Sequence, residues 1–336
     1  MPPRYPFPCH PTGWFALATS SELRPGAVLT RALAGEELVL FRDGEGRASA
    51  LDAYCPHLGA HLGHCGDVES GALRCSFHGF RFDGEGACVA TGYGTRPPPK
   101  ARLRRFHAME RNGFVLVWHD AAGRAPDWEV PVLDERGFSA PQVHRFTLRG
   151  HPQETTENSV DVGHLALVHG YREVRTVVAP SARGAYLHAR YAMRRFVGVG
   201  ARLGFDVGTD FDVHVHGLGY SLVELRLPRY GLRLRQHILA TPTSGDQIDL
   251  RISVSAARPS WSPAALPVAS LIARGVMRMF RHDVAQDFAI WTHKRYVEAP
   301  ALAAGDGPIA LYRRWARQFY PEAAANWVPA RELASR

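Results

Sequence analysis

No stretch of this 336-residue chain approaches the roughly 18 consecutive apolar residues that a membrane-spanning helix needs. Its first fifteen residues, MPPRYPFPCHPTGWF, lack the continuous apolar run of a secretory leader. Cysteine is scarce: Cys9, Cys55, Cys65, Cys75 and Cys88 are the five. An odd, small set of thiols argues against a disulfide framework and for a reducing cytoplasm, which is the expected location. Internal repeats and low-complexity tracts are missing too, and with 46% hydrophobic and 21% charged residues the composition is that of an ordinary globular protein. Acidic residues are outnumbered, giving a formal charge of +8. The arginines are nevertheless spread along the chain without a basic cluster, which argues against nucleic acid or acidic lipid. An acidic protein partner, steered by the overall field, is the better match.

What the chain does have is two mixed Cys-His pairs. In Cys55-Pro56-His57-Leu58-Gly59 and Cys75-Ser76-Phe77-His78-Gly79, seventeen residues separate His57 from Cys75. A Rieske [2Fe-2S] cluster requires two thiolates on one iron and two neutral imidazoles on the other, and this spacing supplies them from two opposing loops. Gly59 and Gly79 let the backbone close over the sulfurs. Structural zinc instead prefers Cys-x(2-4)-Cys and His-x(3-5)-His knuckles. Cys55 and Cys75 are therefore expected to bind one iron, and His57 and His78 the other.

The length exceeds one such domain by about 200 residues, enough for a second core. Short strand-like runs at Val39–Phe41, Leu73–Cys75, Phe80–Phe82 and Phe114–Trp118, bounded by Gly, Pro, Asn or Asp, predict an all-β first domain. A break near Asp120–Pro126 divides the chain into residues 1–122 and 123–336. Downstream, Phe211–His216 and Gly231–Leu239 alternate apolar and polar residues as strands do, so the fold class is α+β. His214 and His216 share one strand face, which reads first as a polar sheet surface and second as a metal pair.

The second domain opens with Glu157-Asn158-Ser159-Val160-Asp161-Val162-Gly163-His164, and then Leu165-Ala166-Leu167-Val168-His169-Gly170. On a helix His169 stands roughly 140° further round than His164, so both reach one metal only if the helix ends near the second; Gly170 supplies that stop. Two histidines and a carboxylate make the facial triad of non-heme Fe(II) sites. The carboxylate candidates are Asp283 and Asp287, one helical turn apart. From the residues alone, either reaches the iron. No dinucleotide fingerprint is present, since Asp83-Gly84-Glu85-Gly86 does not open a Rossmann helix, so electrons must arrive from a separate protein.

Residues 54–93 resemble the Rieske domain of the Rieske non-heme iron oxygenases. Respiratory Rieske proteins carry two further cysteines that form a disulfide, and the matching positions here are Ala60 and Phe77, so that disulfide cannot form. Pro11–Phe15, Asn158–His164 and Gln286–Tyr296 are similar to cholesterol 7-desaturases and bacterial 3-ketosteroid 9α-hydroxylases, and the likeness covers most of the chain. It implies an antiparallel sheet wrapped around helices, with mononuclear Fe(II) on His164, His169 and, through Gln286-Asp287 followed by Ile290-Trp291, Asp287. It implies a homotrimer in which Asp161 links His164 to the Rieske His78 of a neighbour. It also implies electrons from NAD(P)H through a separate reductase or ferredoxin, and O2-dependent hydroxylation or desaturation of a bulky, sterol-like or other polycyclic substrate. One departure is Glu157, where some aromatic-ring dioxygenases have Asn four residues before the aspartate. Its role, near the iron or in solvent, is open. The uncharged stretch 259–273 either packs internally or lines an apolar entrance. The non-enzymatic alternative is a Rieske electron carrier fused to a lipid-binding domain with a vestigial second metal site.

Overall fold

The computed structural model describes residues 4–7, 10–199, 203–259 and 266–320. The described residues fall into two compact units, one from Gly13–Asp134 with Thr241–Gly245, the other from the rest.

The first unit is built from strands β1 (Gly13–Thr19), β2 (Leu29–Leu33), β3 (Glu36–Arg42), β4 (Ala48–Asp52), β5 (Gly66–Glu69), β6 (Ala72–Cys75), β7 (Arg81–Phe82), β8 (Cys88–Ala90), β9 (Arg105–Phe106), β10 (Ala108–Arg111) and β11 (Phe114–His119), with one helical turn, α1 (Leu62–Cys65). They form three sheets, ordered β1-β11-β10, β2-β3-β4-β9 and β5-β6-β7-β8. The two-residue period of a strand explains how one central strand serves two cores. In β3, Leu38 and Leu40 join Phe15, Leu17, Val115 and Val117 on one side, whereas Val39 and Phe41 join Leu73, Phe80 and Phe82 on the other. The second of these cores includes Cys55 and Cys75, so the sheet packing runs directly into the two ligand loops. After Asp120 the chain stays with this unit, because Trp128 packs against Trp118 at 5.6 Å and its carbonyl accepts a hydrogen bond from the Trp14 indole at 2.8 Å.

The second unit holds β12 (Gln142–Arg149), α2 (Pro152–Glu157), α3 (Val162–Leu167), β13 (Arg172–Arg183), β14 (Tyr186–Val199), β15 (Leu203–His216), β16 (Tyr220–Leu227), β17 (Leu232–Pro242), β18 (Gln247–Ala256), α4 (Leu266–His293) and α5 (Ile309–Ala316). Its seven strands make one sheet ordered β12-β18-β17-β16-β15-β14-β13. The expected strands at Phe211–His216 and Gly231–Leu239 lie in β15 and β17. Helix α4 crosses one face of the sheet at β18 and β12, where Phe288 meets Phe146 edge-on at 4.8 Å. Its inward side carries Met277, Asp283, Val284, Asp287 and Trp291, at spacings of three, four and seven that put them on one stripe. Of the uncharged stretch 259–273, residues 260–265 lie outside the described residues, and 266–273 form the start of α4. Among the described residues no helix is long and apolar enough to cross a membrane.

Candidate metal centres

In the first unit, Cys55-x-His57 and Cys75-x-x-His78 sit in two loops of matching construction. The Cys55 amide donates to the Ala60 carbonyl and the Gly59 amide returns to the Cys55 carbonyl, both at 2.9 Å. In the same way the Cys75 amide donates to Phe80 O and the Gly79 amide to Cys75 O, both at 2.8 Å. Gly79 is required twice over: its φ is +67°, and a Cβ there would stand 2.6 Å from the Gly92 Cα. Both thiols are buried, and the imidazoles of His57 and His78 meet edge-on with centroids 4.6 Å apart. Phe80 stacks on His57 at 4.4 Å and fixes its ring plane.

Two features fit these residues to a cluster. The Nδ1 atom of His78 is buried without a hydrogen-bond partner among the described residues, a costly state that a metal bond would relieve. Burial is also the main reason the Cys55 thiol is pushed up to about 11, with Cys75 beside it adding to the rise. A bound metal reverses that balance by stabilising thiolate.

In the second unit, His164, His169 and Asp287 present ligand atoms that all lie within 4.8 Å of one another. Each is positioned by local chain chemistry. Asp161 caps α3, its Oδ1 accepting from the His164 amide at 3.3 Å, while its backbone carbonyl takes the His164 Nδ1–H. The helix stops where expected: Gly170 is left-handed at φ +69°, and the Tyr171 amide reaches back to the Leu165 carbonyl at 3.0 Å. That reversal brings the His169 ring to 5.1 Å from the His164 ring. Nδ1 of His169 donates to the Gln286 side-chain carbonyl at 2.9 Å, leaving Nε2 facing Asp287 Oδ2 at 3.5 Å. Both histidines thus spend Nδ1 on the protein and turn Nε2 to the site, the tautomer a metal ligand needs.

Electrostatics follow this geometry. Burial pulls His169 down, but hydrogen bonds to Asp287 and Gln286 and the charge of Asp287 outweigh it, so the imidazole titrates above its usual range. A metal must displace that proton, and acid therefore opposes loading. Burial raises Asp161, yet the hydrogen bonds and charge of His164 hold it below the ordinary carboxyl range, and it is ionised at neutral pH. Asp283 is committed elsewhere. Arg195 grips it with both guanidinium Nη atoms, one of them at 2.7 Å from Oδ1, while lying over the Tyr171 ring at 5.2 Å.

The triad stands in the wall of a cavity of about 900 Å³, counted with its mouth to solvent. Its lining is largely apolar, including Met193, Phe211, Val223, Ile238, Phe280 and Trp291. Such a site can hold a metal with open positions facing an apolar guest.

Two family models match the chain: the Rieske [2Fe-2S] domain over residues 13–102 and the 3-ketosteroid 9α-hydroxylase C-terminal domain over residues 117–320. The chain belongs to the Rieske non-heme iron oxygenases. It is 33% identical to cholesterol 7-desaturase nvd of Bombyx mori, over 96% of this chain and 72% of that protein. It is 28% identical to a 3-ketosteroid-9-alpha-monooxygenase oxygenase component of Rhodococcus rhodochrous, over 92% of this chain and 83% of the relative. Its fold is that of a Pseudomonas putida NdmA variant solved with theobromine (TM-score 0.72, 18% identity, 93% and 91% of the two chains) and of dicamba monooxygenase bound to dicamba (TM-score 0.66, 19% identity, 93% and 98%).

In this Rieske oxygenase several site residues escaped the sequence. Gln286 has no role that its neighbours in sequence reveal, because its partner His169 is 117 positions away. Arg195 had no local signal at all. Glu157 does not point to solvent: it is buried in a double hydrogen bond to Arg313, at 2.7 and 3.1 Å, with Lys294 at 3.9 Å. The charge at that position serves the packing of α2 against α5.

Proposed function

We propose that this chain is the terminal oxygenase of a multicomponent system that hydroxylates or desaturates a sterol-like or other polycyclic apolar compound with O2. The observation that carries this is the convergence of His164, His169 and Asp287 in the wall of a largely apolar cavity, in a chain that also carries a Rieske domain. A vestigial second site has no reason to keep a buried carboxylate beside two imidazoles whose Nδ1 atoms are both bonded to the protein, which disfavours an electron carrier fused to a lipid-binding domain.

In this reading Cys55, His57, Cys75 and His78 hold the [2Fe-2S] cluster, and His164, His169 and Asp287 hold Fe(II). When bound, the mononuclear iron supplies O2 activation and C–H oxidation. The protein's part is to orient and to exclude water. Gln286 and the Asp161 carbonyl hold the two imidazoles, Arg195 keeps Asp283 out of the coordination sphere, and the apolar lining favours a ring system over water. The kinship with cholesterol 7-desaturases and 3-ketosteroid 9-alpha-monooxygenases supports a steroid-class substrate.

Asp161 is the proposed bridge to His78 of the partner subunit in a homotrimer. Its support is an ionised carboxylate already bonded to His164 and still one-third exposed, so that a second donor can reach it. Electrons come from NAD(P)H through a separate ferredoxin or reductase, of acidic surface given the chain's +8 charge, in the cytoplasm. The test is incubation of the reduced enzyme with a sterol and polycyclic panel under 18O2, followed by mass spectrometry. Label incorporation identifies hydroxylation and loss of two hydrogens identifies desaturation. Failure to turn over any steroid, with turnover of a small polar aromatic instead, rejects the substrate class.

A further inference from the structure

The sheet face that bears the cavity residues Tyr191, Met193, Phe211 and Val213 has an opposite side, and strand alternation places His188, Asp212 and His214 on it. His188 and His214 are direct cross-strand partners in the β14–β15 ladder, and Asp212 pairs with Arg190 two positions along. His216, which shares that face with His214, stacks on Tyr186 at 4.9 Å. We propose that His188, Asp212 and His214 form a second divalent-metal site, of zinc-type ligand chemistry, separate from the His164, His169 and Asp287 centre.

The donor geometry is close to what such an ion needs. Ligand atoms of the three residues lie within 4.8 Å of one another. Asp212 Oδ1 is 2.6 Å from His188 Nε2 and 3.9 Å from His214 Nε2. Zinc bonds of about 2.0–2.1 Å in a tetrahedron set neighbouring donors roughly 3.3 Å apart, so the two distances bracket the required spacing. Small side-chain rotations admit the ion in place of the His188 Nε2 proton.

The supporting contacts are also of the right kind. Nδ1 of His214 is 2.7 Å from the Tyr186 hydroxyl, so Nδ1 is engaged with the protein and Nε2 is the atom turned to Asp212. The far carboxylate oxygen of Asp212 is held by Arg190 and, at 3.2 Å, by Arg226, so Oδ1 alone faces the histidines. Asp212 is buried, whereas the histidine side chains are about a quarter exposed, which leaves a fourth position open to water. Two nearby guanidinium groups repel a dication, so the site is one of moderate affinity, loaded at micromolar zinc. Imidazole nitrogen with a single carboxylate suits Zn2+ better than Mg2+ or Ca2+.

The test is equilibrium dialysis of iron-loaded holoenzyme against micromolar Zn2+, with zinc and iron counted by mass spectrometry and the Rieske spectrum recorded. Wild type is expected to hold about one more zinc than His188→Ala or His214→Ala, with iron content and spectrum the same in all three. Asp287→Ala, run in parallel, is expected to keep that zinc. Anomalous diffraction at the zinc edge should place the ion between β14 and β15. Equal zinc in wild type and both histidine variants overturns the site, as does no zinc at all. Zinc that disappears in Asp287→Ala but persists in His188→Ala overturns it too, since the ion is then occupying the iron centre.

Discussion

Replacing Asp283 and Asp287 separately should produce opposite failures, although the two carboxylates lie one turn apart on α4 and are both largely buried. Asp283 is the anionic half of a two-point ion pair with Arg195, whose side chain is 20% exposed. Removing one partner of a buried pair leaves the other charge uncompensated and costs about 3–5 kcal/mol. At about 2–4 °C per kcal/mol for a unit of this size, the Asp283→Ala melting temperature should fall by roughly 6–20 °C. Mononuclear iron should remain, because Asp283 contributes no donor to the triad. Asp287→Ala should lose that iron, and with it turnover, while the iron-free protein melts close to iron-free wild type. Adding Arg195→Met to an Asp283→Leu background removes the stranded charge and should recover part of the lost stability, which a double-mutant cycle reads as a coupling of ~1 kcal/mol or more. Iron counting and calorimetry on the same preparations decide the matter. Loss of iron in Asp283→Ala without loss of stability would falsify the assignment of both residues.

His78→Ala or Cys75→Ser should abolish the reddish-brown chromophore and the reduced-state EPR signal while the mononuclear iron stays; a normal spectrum in either variant removes the cluster assignment. Gln286→Leu should free the His169 tautomer and weaken mononuclear iron binding by about 10–100-fold without touching the Rieske spectrum, as measured by chelator competition; unchanged affinity would show that the amide plays no part in holding the ring. Gly170→Ala forces a Cβ into a left-handed residue, at about 1–2 kcal/mol, and should lower iron affinity along with stability, whereas Gly170→Asn, tolerated in that region, should do less. Asp161→Asn should leave both iron sites loaded yet slow cluster oxidation in stopped flow; mixing His78→Ala chains with His169→Ala chains should then restore partial activity if the electron path crosses between subunits, and its absence in verified mixed oligomers confines the path to one chain.

The candidate metal residues were legible because coordination chemistry restricts both residue type and spacing. Cys55, His57, Cys75 and His78 declare themselves over 24 positions, and the loops that carry them close through contacts no further than Ala60 and Phe80. The stop at Gly170 was legible for the same reason, since a helix end is a local event. What stayed hidden is whatever depends on a partner far along the chain. The residues alone could not choose between Asp283 and Asp287, because the contact that sets them apart is Arg195 on Asp283, which comes from strand β14, 88 positions earlier. Nor could they find the role of Glu157, whose partner Arg313 lies 156 positions on. His214 shows the same limit in sharper form. Sequence places it on one strand face with His216, read first as a polar surface, whereas the fold adds His188 from the neighbouring strand and Asp212 from its own. A strand's own period tells which residues share a face, but only the register between strands tells which of them meet. Sites assembled across a ladder therefore have to be sought in the structure even when every residue type in them is visible beforehand.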